Sequence, residues 1–239
     1  MQTAKINKWL LRVVSIVSAV ACAQGGSLMS RPAEIRLHLV SSLQGKYRPV
    51  PAVLWLQPLP GTRTLPFTPS GDYMLLQKNR SFRPHLMVIP VGSVVKFPNA
   101  DPFFHNVFSL YEGKRFNLGL YEAGASKSVF FSREGVSYIF CNIHPEMSTV
   151  VLTLSTPLYA IADANNSFAL RGVPPGDYVL HLWIESVPES FLQGLMHTVH
   201  IPLLNSDLGN VSAPIAQPNK ISHANMFGEA YDQESRSTY

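Results

Sequence analysis

A chain of 239 residues is long enough for two small domains or one large one. Only 14% of the residues are charged, 46% are apolar and 19 are proline, a balance that suits a β-rich exported protein. The net charge of +4 comes from scattered Lys and Arg with no basic run and no helical stripe, which argues against nucleic acid as a partner. A mild positive field would suit an acidic protein partner, and solubility explains it equally well.

The first 23 residues read as a signal peptide. Lys5, Lys8 and Arg12 make a basic start, residues 13–20 a short apolar core, and Ala19-Val20-Ala21 and Ala21-Cys22-Ala23 two small-x-small cleavage sequences. The apolar run is too short for a permanent membrane span. Cys22 adds an alternative, a lipid-modified cysteine after cleavage, although Ala19 stands where a bulkier aliphatic residue is expected. Either route predicts an exported protein, periplasmic or lipid-anchored to the membrane at the cell envelope. Either route also leaves Cys141 as the one thiol of the mature chain, since the sequence has two cysteines. Exported proteins usually pair their cysteines, so a lone thiol calls for a role; a metal supplies one, and a buried inert cysteine is the plainer alternative.

Along the chain the signals are those of strands, and an all-β fold is predicted. Ile35-Arg36-Leu37-His38-Leu39, Ala52-Val53-Leu54-Trp55-Leu56 and Ser128-Val129-Phe130-Phe131 are apolar stretches of strand type, with Pro and Gly between such runs at short intervals. No segment keeps a 3.6-residue apolar period over three turns, and there is no internal repeat. Phe82-Arg83-Pro84, residues 91–97, residues 136–141 and residues 149–154 read as further strands.

Between the last two strands lies the most informative motif, Cys141-Asn142-Ile143-His144-Pro145-Glu146-Met147, with His105-Asn106-Val107-Phe108 upstream. One thiolate, two imidazoles and a thioether form the donor set of a blue-copper site: sulfur donors are soft, imidazole suits both copper oxidation states, and a weak axial Met completes the trigonal His2Cys plane. Three donors within seven residues can come from one loop, and the fourth arrives from a distant strand. One Cys and two His also suit tetrahedral zinc, but zinc would take a further oxygen or nitrogen donor and Met147 is a poor one. Met147 is either the axial donor or a core methionine, with Glu146 or a carbonyl in its place. His105 is otherwise a core histidine.

Residues 82–154 resemble the cupredoxin family through these residues and through Pro98-Asn99-Ala100-Asp101-Pro102-Phe103-Phe104 before His105. The ligand loop, with Met six residues after Cys, is most similar to the amicyanin type, and the chain more broadly resembles cupredoxin-domain proteins labelled methylamine-utilisation proteins. The resemblance implies a Greek-key β-sandwich over residues 72–154 and one copper per chain cycling between Cu(I) and Cu(II). It implies His105, Cys141, His144 and Met147 as ligands, with the His144 edge as electron exit. Pro145, Phe103 and Phe104 would form an apolar collar there or simply belong to the core. The Asn106 side chain would tie the two ligand segments together.

A second motif, Asp163-Ala164-Asn165-Asn166-Ser167-Phe168-Ala169-Leu170 followed by Gly172, Pro174, Pro175, Gly176 and Tyr178, resembles the carboxypeptidase-regulatory or prealbumin-like β-sandwich. Asn166 stands where that family usually has Gly, and Asn tolerates the left-handed backbone the turn needs. Residues 155–204 are too short to close such a sandwich alone. Residues 33–60 would supply its opening strands, with residues 72–154 inserted; the alternative adds 33–60 to the cupredoxin. Residues 205–239 read as an extended or disordered tail, in which the stretch from His223 to Tyr231 could dock on a sandwich.

His85 reads as a strand-end surface histidine, with an extra ligand or a metal-uptake histidine as the alternative. His38, His181, His197, His200 and Glu112 have no ligand spacing. The predicted function is an exported, non-enzymatic electron carrier that serves redox protein partners. Copper delivery or storage, or a structural β-sandwich module, are the alternatives.

Overall fold

Alternation decides the architecture. In chain order the strands are β1 (Ala33–Ser41), β2 (Ala52–Pro58), β3 (Tyr73–Met74), β4 (Leu76–Gln77), β5 (Phe82–Arg83) and β6 (Leu86–Pro90). Next come β7 (Ser93–Pro98), β8 (His105–Ser109), β9 (Phe116–Tyr121), β10 (Ser126–Phe131), β11 (Gly135–Cys141) and β12 (Ser148–Leu154). The last are β13 (Tyr159–Ile161), β14 (Ser167–Val173), β15 (Gly176–Ile184), β16 (His197–Ile201) and β17 (Asp207–Ala213), with a short helix, α1 (Glu189–Gly194), before β16. The computed structural model describes residues 33–43, 49–110, 113–203, 207–215, 225–227 and 229. The export signature with Cys22, Glu112, and His223 and Tyr231 lie outside the described residues. No helix among the described residues is long and apolar enough to cross a membrane.

In β1, Ile35, Leu37 and Leu39 turn inward while Arg36 faces water; in β7, Ser93, Val95 and Phe97 turn inward while Val94 and Lys96 face out. Two cores result. The first is enclosed by the sheets β14-β1-β17 and β13-β2-β15-β16. The second is enclosed by β10-β7-β3 and the five-stranded sheet β6-β12-β11-β8-β9. β1 pairs with β14 and β17, and β2 with β13 and β15, so the beginning of the chain shares sheets with its end.

The five-stranded sheet serves both cores. Ile89, Val107, Ile139, Cys141 and Val151 face the second core, whereas Val150, Leu152, Leu86, Val88, Val136 and Tyr138 face the first. β12 is therefore buried on both faces, which is why Thr149-Val150-Val151-Leu152 reads as a continuous β-branched and apolar run. Trp183 Nε1 donates to Tyr138 Oη at 3.0 Å across this junction.

The turn after Asp163 forms as its residues require. Asn166 has φ 58°, its Oδ1 accepts from Val50 N at 2.9 Å, and Asp163 Oδ1 accepts from Asn165 N and Ser167 N. The reading of residues 205–239 as an extended or disordered tail needs correction over residues 207–215. Residues 207–213 form β17, parallel to β1, in which Ala213 is buried, and Ile215 is buried just beyond it. Their small and polar side chains hide the strand, because the main-chain bonds to β1 and two buried residues suffice to hold it.

Candidate metal centre

His105 opens β8 and Cys141 closes β11, and the pairing of Cys141 with Val107 brings the ends of these strands together. The chain then folds back tightly through 142–147: Met147 N donates to His144 O at 3.0 Å, and Cys141 N to Met147 O at 3.2 Å. Asn142 N donates to Asn106 O at 2.9 Å and ties this loop to β8. The tie predicted for the Asn106 side chain is thus made by its carbonyl, and the side chain reaches Asn117 on β9 instead.

Three donor atoms meet. Cys141 Sγ lies 3.6 Å from His105 Nδ1 and 3.5 Å from His144 Nδ1, and the two Nδ1 atoms are 3.1 Å apart. A point in the plane of this triangle is about 2.0 Å from each atom, close to metal–nitrogen distances of about 2.0–2.1 Å and a metal–thiolate distance of about 2.3 Å. The residues present therefore fit a trigonal His2Cys ion. His105, Cys141 and Met147 are fully buried, and His144 keeps 8% of its surface exposed. Met147 ends the loop inside the second core, packed with Cys141 in one apolar cluster.

The electrostatics favour ligation. Burial lowers the His144 pKa to about 4, with the neighbouring His105 adding to the effect. Burial also lowers that of His105, against the opposing pull of Asp101. Both rings are neutral near pH 7, the form that binds a metal. Burial raises the pKa of the Cys141 thiol, while the backbone N–H groups of Ile143, Asn106 and His144 favour the thiolate. A cation would complete what these three donors begin.

Asp101, four residues before His105, was not singled out as a site residue in the sequence. Its Oδ2 lies 3.0 Å from His105 Nε2, and both groups are buried. A carboxylate only accepts, so Nε2 carries the proton and Nδ1 turns its lone pair to the site. Asp101 Oδ1 also accepts from Asn79 N at 2.6 Å and Oδ2 from Arg80 N at 3.0 Å, both in the left-handed turn between β4 and β5 (φ 54° and 53°). Burial raises the Asp101 pKa, but the Arg80, Asn79 and His105 hydrogen bonds outweigh it and hold the carboxyl below its ordinary value. The one available signal was an acid four residues before a candidate ligand histidine; its burial and its partners are not written in the sequence.

The aromatic residues divide. Phe103 packs on both imidazoles, 5.3 Å from the His105 ring and 5.4 Å from the His144 ring, with the Arg80 guanidinium over its face at 5.5 Å. Phe104 is 55% exposed and points away from the core. His85 lies apart from the donor cluster. Its Nε2 is 2.6 Å from the buried carboxylate of Glu185, the residue after β15, and its Nδ1 is 3.2 Å from Ser148 O. His181 stacks on Trp55, His38 meets Ser167, His197 meets Leu195 O and His200 meets Asp177.

No family model matches the chain, and no curated protein matches it. Solved structures similar to part of it include cupredoxins and a copper-containing nitrite reductase. A purple cupredoxin from Nitrosopumilus maritimus is 26% identical over 35% of this chain and all of its own, with a TM-score of 0.32. A copper-containing nitrite reductase from Thermus scotoductus SA-01 is 24% identical over 41% of this chain, with a TM-score of 0.34; the match spans 25% of the reductase. A reduced amicyanin variant is 18% identical over 36% of this chain and 86% of its own, with a TM-score of 0.33.

Proposed function

We propose that this chain is an exported mononuclear copper protein that passes single electrons between protein partners. The observation that carries the reading is the buried triangle of Cys141 Sγ, His105 Nδ1 and His144 Nδ1, sized for one ion. Copper held by these residues would supply one-electron chemistry between Cu(II) and Cu(I), and Met147 would be its soft fourth donor.

The protein's own part is to hold and to shield. Asp101 fixes the tautomer of His105, three backbone N–H groups favour the thiolate, and Phe103 packs on both rings and keeps water from them. Burial of all the donors but the edge of His144 directs exchange with a partner to that edge. Neither acid–base nor nucleophilic chemistry enters the reading, so the protein is a carrier rather than an enzyme. Its partners are redox proteins outside the cytoplasm, and the second sandwich is a prealbumin-like scaffold.

The test is a visible absorption spectrum of the mature protein with Cu(II), before and after a mild reductant. An intense thiolate-to-copper band that bleaches and returns, and that Cys141→Ser abolishes, is expected. A colourless protein that binds only zinc would overturn the reading.

A further inference from the structure

A ring of hydrogen bonds joins the C-terminal segment to the ligand loop. Asn106, next to His105 on β8, donates from Nδ2 to Asn117 Oδ1 on β9 at 3.0 Å. Asn117 Nδ2 donates in turn to Met226 Sδ at 3.6 Å. Met226 N donates to Asn142 Oδ1 at 2.7 Å, and Asn142 N returns to Asn106 O at 2.9 Å. The circuit passes from the neighbour of one ligand, through residue 226, to the neighbour of Cys141.

The segment brings its own shape to this contact. Asn225 Oδ1 accepts from Phe227 N and Glu229 N at 2.9 Å each, and Asn225 N donates to Glu229 O at 2.8 Å. Phe227 is 73% exposed, so hydrogen bonds rather than an inserted aromatic ring hold the segment in place. Neutral hydrogen bonds of this kind are weak enough to open and reclose.

His105 and Cys141 are fully buried, so movement of residues 142–147 away from β8 would open the donor triangle to an incoming ion. Asn142 is where the loop is fastened, by its main chain to Asn106 and by its side chain to Met226. We propose that Asn225, Met226, Phe227 and Glu229 form a latch that holds the ligand loop shut and thereby sets the rate of metal uptake and release. The identity of the ion as copper rests on the function proposed above; the latch itself does not.

Two chains test it: one lacking residues 216–239, and full-length Met226→Pro, which removes the N–H donated to Asn142 together with the sulfur that accepts from Asn117. Full-length Met226→Leu keeps that donor and serves as the control. The first readout is hydrogen exchange at the Asn142, Ile143 and His144 amides of the metal-free protein. The second is the rate at which EDTA removes Cu(II) from the loaded protein. Losing one neutral hydrogen bond predicts roughly two- to tenfold faster loop exchange and Cu(II) release in Met226→Pro. Met226→Leu should stay near wild type, and the truncated chain should match or exceed Met226→Pro, with the β12 amides unchanged. Should truncation loosen every strand, Met226→Pro decides. Unchanged loop exchange in Met226→Pro overturns the latch, and faster exchange without faster release overturns its role in metal traffic. A wild-type protein without a blue band, but with loop exchange that responds to Met226→Pro, would sink the copper reading and leave the latch standing.

Discussion

Removing the Asp101 carboxylate tests whether the site is built from outside its donor triangle. Asp101 is buried and accepts from His105 Nε2, Asn79 N and Arg80 N at 3.0, 2.6 and 3.0 Å. A hydrogen bond to a charged group contributes about 1.5–3 kcal/mol, but the three share one acceptor and do not add. Asp101→Ala should therefore destabilise the metal-free fold by about 3–5 kcal/mol, in the range for breaking a buried charged cluster. It should also free the His105 ring to turn and to take the wrong tautomer, weakening metal binding by roughly 10–100-fold. Asp101→Asn keeps the shape and two acceptor lone pairs, yet one of its ends must face a donor. It should cost about 1–3 kcal/mol, the penalty of one unsatisfied buried group. Urea denaturation of the metal-free proteins gives the first quantity, and competition with a chelator of known affinity gives the second. A folded Asp101→Ala protein that binds metal within twofold of wild type would refute the claim that Asp101 sets the His105 tautomer.

Two histidines should give opposite pH dependences. The His144 pKa, about 4 when folded and near 6.5 when unfolded, is depressed, so its contribution is complete above pH 6.5 and lost as pH falls toward 4. At about 1.4 kcal/mol per pH unit this is at most about 3 kcal/mol of metal-free stability. The His85 pKa is raised, first by the Glu185 hydrogen bond, so its contribution is complete below 6.5 and fades as pH rises through the folded value. Urea midpoints between pH 4 and 9 should show both limbs, and His85→Gln should remove the alkaline one alone; a His85→Gln curve parallel to wild type counts against the pair. Met147→Leu, a volume-conserving change, should cost less than about 1.5 kcal/mol and keep the blue colour, while voltammetry finds a higher potential. A colourless variant that still holds copper would undercut the axial assignment. Asn166→Ala places a Cβ-constrained residue at φ 58° and orphans Val50 N, for about 2–4 kcal/mol, whereas Asn166→Gly should cost about half as much. Equal losses on thermal melting would mean the left-handed backbone contributes nothing there.

The donor triangle was legible because its chemistry is local: Cys141 and His144 lie on one short loop, and a lone thiol beside a histidine asks for a metal. Asn166 was legible for a similar reason, since a turn's backbone demands are written in four or five residues. Asp101 was harder because its three partners come from two other segments, and nothing near it in sequence announces them. Strand β17 escaped because a parallel partner 171–172 residues away supplies its bonds, and Asn210 and Ser212 carry no apolar alternation. The Asn142–Met226 contact joins positions 84 apart through a polar side chain and a backbone N–H, for which sequence has no pattern.

The two faces of β12 bear on why an electron site would sit beside a second sandwich. A redox ion works best when its ligands do not move, and ligand position is fixed by the strands that carry the loop. β11 delivers Cys141 and β12 follows Met147 directly, and their outer face in a lone sandwich would meet water. Here Val150, Leu152, Val136 and Tyr138 pack on the first core, and Trp183 Nε1 bonds to Tyr138 Oη. Side chains of this size gain about 1.5–3 kcal/mol each when fully buried, so opening this junction would expose several such contributions together. His85 adds a polar brace at the same edge, joining Glu185, just past β15, to Ser148 O, one residue past Met147. The sheets around the first core thus back β11 and β12, the two strands that flank the Cys141–Met147 loop, and opening that junction would loosen both.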